Sequence, residues 1–182
     1  MQPPAPDHEP RRGGVLILLY PADDSEDLHL VLTRRTDKVG NHRGQISLPG
    51  GRVDPDDLST ARTALREACE EIGVCDDDLR LLGELTPLYI PPSDFTIHPH
   101  VAFLHRRPQF HPQPDEVAEV LEVPVSYLLD QNHILEEDWI IRGEVRRVPF
   151  YHIHDSKVWG ATAMVLAELA AVLEGVGGGE SK

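Results

Sequence analysis

Arg66-Glu67-Ala68-Cys69-Glu70-Glu71-Ile72-Gly73 is the stretch on which the reading of this chain turns. At about 100° per residue, the segment from Ser59 to Ile72 gathers Ala61, Ala64, Leu65, Ala68 and Ile72 on one face. Such a stripe packs on a core. Gly73 supplies a left-handed stop. Glu67 stands three residues from Glu70 and four from Glu71, so the three carboxylates should leave the helix within one arc, away from the stripe. Like charges at these spacings cost about 0.2–0.5 kcal/mol per pair. The last turns of a helix disfavour anions by roughly 0.3–1 kcal/mol each. Arg66 offsets part of this. The spacing has two readings. One is a solvated acidic face, common on acidic proteins. The other is a site for a hard divalent cation such as Mg²⁺, which takes oxygen ligands and keeps waters for substrate phosphates.

On the N-terminal side, Gly14-Val-Leu-Ile-Leu-Leu-Tyr20 reads as a buried strand and Leu28 to Thr33 as the second arm of a hairpin. Thr36 to Ser47 reads as a loop and Pro49-Gly50-Gly51 as a sharp break. On the C-terminal side, Leu81–Tyr89, Pro99–Leu104, Val117–Val123 and Val148–His152 are strand candidates. Pro124 to Leu129 is a short helical segment, and Gly160 to Glu174 is apolar at helical spacing. Strands interleaved with helices predict an α/β or α+β fold with a mixed sheet between helices. The expected organisation is a disordered segment over residues 1–13, one domain over 14–174 and a Gly-rich tail over 175–182.

The chain carries 17 Lys and Arg against 31 Asp and Glu, a formal net charge of −14. Such a surface repels phosphate backbones and argues against nonspecific nucleic-acid binding. An anionic substrate stays accessible where metal ions bridge the two. No apolar run approaches the roughly 20 residues that span a bilayer. The N-terminus lacks the basic-then-apolar pattern of a secretory signal. The two cysteines, Cys69 and Cys75, do not make a disulfide framework and point to a reducing, cytoplasmic setting. Neither has a nearby base in sequence, which argues against a thiol nucleophile. His42, His98, His100, His152 and His154 read as ordinary strand and loop histidines, because a carboxylate helix asks for a hard ion.

Gly51, Asp57 and Arg66 to Val74 together resemble the Nudix box, Gly-x5-Glu-x7-Arg-Glu-U-x-Glu-Glu-x-Gly-U, where U is aliphatic or small. The second half matches at every fixed position. In the first half Asp57 replaces Glu, and eight residues, not seven, separate it from Arg66. Upstream, Leu32-Thr-Arg-Arg-Thr36 and His42-Arg-Gly-Gln-Ile-Ser-Leu-Pro-Gly-Gly51 are similar to the element preceding the box in the coenzyme A pyrophosphatase branch of that family. There Thr36 stands for Ser, Leu48 for Phe, and Gly40 takes the place of a second Arg. Pro92-Ser-Asp-Phe-Thr-Ile-His-Pro99 is similar to a further stretch of the branch. The likeness covers about residues 14–130.

The resemblance implies a Nudix α/β/α sandwich. It implies Mg²⁺- or Mn²⁺-dependent hydrolysis of the coenzyme A diphosphate to 3′-phosphoadenosine 5′-phosphate and 4′-phosphopantetheine. ADP-ribose, a nucleoside triphosphate, or a silent Nudix-like binding module are the alternatives. Glu67 and Glu71 are then expected as metal ligands, with Glu70 a further ligand or the base that orients the water. The Gly50 carbonyl would complete the metal site, and Gly51 would let backbone approach metal and phosphate. Arg66 would hold the carboxylates in place or, alternatively, touch phosphate. Glu116 would assist metal or water, or be a plain surface carboxylate. Arg34, Arg35 and Arg43 are candidate phosphate contacts. The expected partner is a small nucleotide, without nucleic acid or membrane, and the oligomeric state is left open.

Overall fold

A computed structural model describes residues 9–23, 27–37, 44–75, 77–141 and 143–177. The first strand decides the layering. β1 (Arg11–Pro21) is buried on both sides, because its alternate residues feed two separate cores. Leu16, Leu18 and Tyr20 face helix α1 (Thr60–Ile72), meeting Ala64, Ala68 and Ile72. Ile17 and Leu19 face the opposite way, into a core shared with Val165, Leu166 and Leu169 of helix α3 (Gly160–Gly177). A period of two in the strand thus becomes a sandwich with helices on either side.

β1 pairs antiparallel with β2 (Leu28–Arg35) and parallel with β7 (Phe95–Phe103). β3 (Ile46–Ser47) and β8 (Val117–Pro124) pair with β2. β4 (Gly50–Arg52) pairs with β1, while β5 (Arg80–Glu84) and β6 (Leu88–Ile90) pair with β7. The result is one mixed sheet, as the sequence led us to expect. Helix α2 (Val125–Leu129) follows β8 directly. A second sheet holds β9 (Ile134–Ile141), β10 (Glu144–Ile153) and β11 (Ser156–Trp159), ordered β11-β10-β9.

Several expectations need correction. The ordered chain begins before residue 14, since Arg11 and Arg12 pair with Phe95 and Thr96. The break expected at Gly50 and Gly51 is a short strand, because Gly50 lies against Val15 and Gly51 against Gly14. The single strand expected over 81–89 is two, and Pro91–Ser93 forms a 3-10 turn before β7. β9 and β11 went unread. Helix α3 continues to Gly177, past the expected start of the tail. Cys69 and Cys75 are joined in a disulfide, with Cα atoms 4.6 Å apart. The turn at Gly73 folds the chain back on the helix end and brings Cys75 over Cys69.

Candidate active site

Helix α1 starts at Thr60 because Ser59 caps it, its side chain accepting from the Arg62 N–H at 3.2 Å. It stops at Gly73 (φ 75°), whose N–H returns to the Cys69 carbonyl. The functional end of the helix is therefore defined by local rules. Its last two turns then face β4. A Cβ at Gly51 would sit 2.3 Å from Glu67 Oε1, so the strand backbone passes directly over that carboxylate.

Glu71 departs from the solvent-facing arc expected for it. Its side chain is only 5% exposed. Its Oε2 accepts from the Gly50 N–H at 3.3 Å, and its Oε1 lies 3.8 Å from Arg35 Nη1. Burial pushes its carboxyl from 4.5 up to about 7, with the charges of Glu67 and Glu116 adding to the rise, against the pull of Gly50 and Arg35. Glu67 is also raised, first by burial, and it too feels Glu116 and Glu70. Glu70 is exposed. Glu67, Glu71 and Glu116 thus form one acidic neighbourhood, with like charges held together beside limited cationic compensation.

Arg66 organises the outer half of this neighbourhood. Its guanidinium reaches Glu67 at 3.0 Å, Glu70 at 2.8 Å, the Arg52 carbonyl at 3.2 Å and Asp57 through two nitrogens. Asp57 itself accepts from the Asp54 N–H at 2.9 Å and the Thr63 hydroxyl at 2.8 Å. Paired with Arg66 first and the Asp54 N–H second, its carboxyl falls from 3.8 to about 2. The extra residue between Asp57 and Arg66 is absorbed without breaking the contact. Thr63 and Asp54 were not singled out in the sequence, although Thr63 lies six residues beyond Asp57 on the core side of the helix.

Glu116 arrives on a loop docked to the same helix end. The His111 N–H donates to the Ile72 carbonyl and the Gln113 N–H to the Glu71 carbonyl, both at 2.8 Å. Arg34 and Arg35 diverge. Arg35 faces Glu71, whereas Arg34 points to the other layer, pairing with Glu119 at 2.7 Å and donating to Ser156 Oγ at 2.9 Å. Arg43 and His42 lie outside the described residues. His98 pairs with Glu84, and buried His100 meets the Thr60 hydroxyl. Among the described residues no three His, Cys, Asp or Glu side chains converge closely enough to hold an ion by themselves. The donor set still suits a hard ion: it is oxygen-only, partly buried and mutually repelling. Its layout suits an ion that keeps several waters, as Mg²⁺ does.

A mixed sheet carrying a Glu-rich, Arg-braced helix on one face defines a class of diphosphate hydrolases. Residues 10–145 match the family model of the NUDIX domain, and the chain belongs to the Nudix family. Nudix hydrolases act on pyrophosphate bonds and in general use divalent metal ions. Among relatives, the chain is 38% identical over 141 residues to the uncharacterized Nudix hydrolase NudL of Photorhabdus laumondii, covering 78% of this chain and 75% of that one. It is 35% identical over 167 residues to NudL of Pectobacterium atrosepticum, covering 91% and 84% respectively. It is 35% identical over 172 residues to Nudix hydrolase 15, mitochondrial, of Arabidopsis thaliana, covering 90% of this chain but 59% of that protein. The fold matches the Nudix hydrolase RenU of M. smegmatis with a TM-score of 0.63 at 15% identity, covering 91% of this chain and 87% of that one. It matches a C. elegans Ap4A hydrolase with a TM-score of 0.61 at 13% identity, covering 91% and 98%. No helix among the described residues is long and apolar enough to cross a membrane.

Proposed function

We propose that this chain hydrolyses the diphosphate bond of coenzyme A and its derivatives, yielding 3′-phosphoadenosine 5′-phosphate and 4′-phosphopantetheine. The observation that carries the reading is the position of Arg35. The upstream element similar to the coenzyme A branch brings this guanidinium to 3.8 Å from the buried carboxylate of Glu71. There a cation can meet a diphosphate at the same place where acidic side chains would hold Mg²⁺ or Mn²⁺.

In this scheme Glu67, Glu71 and the Gly50 carbonyl would hold the ion, with Glu70 as a further ligand or the base that would orient water. A bound divalent ion supplies charge neutralisation and a water of lowered pKa. Arg66 keeps Glu67 and Glu70 in place through its own anchor on Asp57. Glu116 assists from the facing loop, and Gly51 leaves room for Glu67. Arg35 and Arg43 take phosphate oxygens. Arg34, paired with Glu119 and Ser156, braces the second sheet and contacts phosphate only if that pairing opens. The enzyme would then work in the cytoplasm beside a nucleotide pool, where thiol reductants would open the Cys69–Cys75 bond.

The test is product identification by mass spectrometry from coenzyme A in ¹⁸O-labelled water with Mg²⁺ or Mn²⁺, run beside ADP-ribose and dGTP. Label in one of the two expected products, with coenzyme A turned over fastest, supports the reading. A lead for ADP-ribose or dGTP overturns the substrate. Unchanged turnover in Glu70→Gln and Glu71→Gln overturns the chemistry.

A further inference from the structure

We infer that Thr36 is a positioning residue for the reaction, gripping the Asp115–Glu116 peptide so that the Glu116 carboxylate stays beside Glu67 and Glu71, an inference that rests on the role given to Glu116 above. Thr36 directly follows β2 and is buried. Its N–H donates to the Glu116 carbonyl at 2.9 Å, and its hydroxyl donates to the Asp115 carbonyl at 2.8 Å. One residue thus holds two successive carbonyls. Its neighbour Arg35 carries the guanidinium that lies 3.8 Å from Glu71. Two consecutive residues therefore address two acidic groups, one through its side chain and one through the backbone behind Glu116. The Glu116 peptide is tied from the other direction as well. The Glu116 and Val117 N–H groups donate to the Gln113 carbonyl at 3.0 and 2.8 Å, and the Gln113 N–H donates to the Glu71 carbonyl at 2.8 Å. Glu116 is strung between the helix end that carries Glu71 and the strand end that carries Arg35.

A bulge selects the layer in which this happens. β2 and β8 pair Arg34 with Glu119 but Arg35 with Val117, which leaves Ala118 as an extra residue. Leu121 and Val123 of β8 face the α3 core, and strict alternation would send Val117 with them. The extra residue turns Val117 into the other core, with Ala64, Ala68 and Ile72 of α1. The chain therefore enters β8 from the layer that holds Glu67 and Glu71, and both of these carboxyls feel the charge of Glu116. Glu116 itself is exposed, so ordering it falls to its backbone. A group misplaced by about 1 Å can cost about 100-fold in rate. A buried hydroxyl that holds the preceding carbonyl is suited to prevent that.

Thr36→Val keeps the shape and the N–H bond and removes the hydroxyl. With coenzyme A and Mg²⁺, its kcat should fall by about tenfold while KM stays within about twofold of native. Thr36→Ser restores the donor and should keep at least about half of the native kcat. In metal-free protein, hydrogen exchange at the Glu116 and Val117 amides should be about tenfold faster in Thr36→Val, with β1 amides as in native protein. Glu116→Gln should itself lower kcat, and Thr36→Val should add no further loss to it, because no carboxylate is left to aim. Melting temperature checks folding, and Thr36→Ala stands in where Thr36→Val does not fold. Native kcat or unaltered exchange in Thr36→Val, a Thr36→Ser variant as slow as Thr36→Val, losses that multiply in the double variant, or native kcat in Glu116→Gln each overturn the role of Thr36. Native protein inactive on coenzyme A but active on ADP-ribose overturns the substrate alone, and the same comparisons on ADP-ribose then decide Thr36. Native protein inactive on both overturns both readings.

Discussion

Asp57 holds Arg66 side by side, Oδ1 to Nε at 3.2 Å and Oδ2 to Nη2 at 3.1 Å. The same guanidinium then spreads to Glu67 and Glu70. A carboxylate outside the helix thus fixes the angle at which the helix presents its own.

Asp57→Asn should loosen this arrangement. Losing a charge-assisted pair in a buried setting should destabilise the fold by about 1–3 kcal/mol. With Arg66 unanchored, kcat should fall more than KM rises. The pH dependence has a definite sign. The Asp57 carboxyl is held near 2 against an ordinary 3.8. Its stabilising contribution is complete above the ordinary value and is lost as pH falls from there toward 2. Urea unfolding across this acid range should show the slope in the native sequence and a smaller one in Asp57→Asn.

Glu71 carries the opposite sign. Its carboxyl is raised from 4.5 to about 7, so the folded state binds a proton more readily than the unfolded chain. Metal-free stability from this group should decline as pH rises from 4.5 to 7 and level off above. Glu71→Gln should remove that decline and raise the melting temperature of the metal-free protein at pH 8, while abolishing turnover. Mg²⁺ should stabilise the native protein more at pH 8 than at pH 6, because binding displaces the proton. A pH-independent Mg²⁺ shift in melting temperature would contradict this.

Two glycine substitutions should separate fold from function. Gly51→Ala places a methyl 2.3 Å from Glu67 Oε1, the far end of a side chain rather than backbone. The fold should survive, with Glu67 displaced and activity down by about 10- to 100-fold. Gly14→Ala meets the backbone carbonyl of Thr60 at 2.0 Å, which cannot yield without moving α1. It should destabilise by about 3 kcal/mol or more, an overpacking penalty. Circular dichroism melting and a diphosphatase assay on both variants check the pair.

Reducing the Cys69–Cys75 bond should lower stability by about 2 kcal/mol, the scale for a short closed loop. The hydrogen bonds at Gly73 remain, so the helix should keep its length. The loop carrying Glu116 docks on the same helix end through His111 and Gln113. Hydrogen exchange should therefore speed up over residues 111–117 on reduction. Equal exchange in the oxidised and reduced protein would show the bridge to be mechanically idle.

The sequence made the helix legible because its signals are local: an apolar stripe and a terminating Gly73. The acidic arc was legible for the same reason. Burial of Glu71 was not, because β4 and Arg35 cover it from distant parts of the chain. β4 itself was hidden, since Gly50, Gly51 and Arg52 have no strand propensity and pair only because β1 offers a partner. β9 was masked by Glu136, Glu137 and Asp138 in its centre, which interrupt the apolar run. The cysteines were judged by composition, whereas their pairing follows from the path of the chain after Gly73.

The parallel ladder between β1 and β7 sets a timetable for assembly. Arg11 is matched to Phe95 and Leu19 to Phe103, so β1 waits for a strand made much later. Contacts so distant in sequence slow folding. Meanwhile the face of β1 that carries Ile17 and Leu19 also waits for its cover from α3, made later still. That interval during synthesis, more than any weakness of the finished molecule, is where aggregation should be sought.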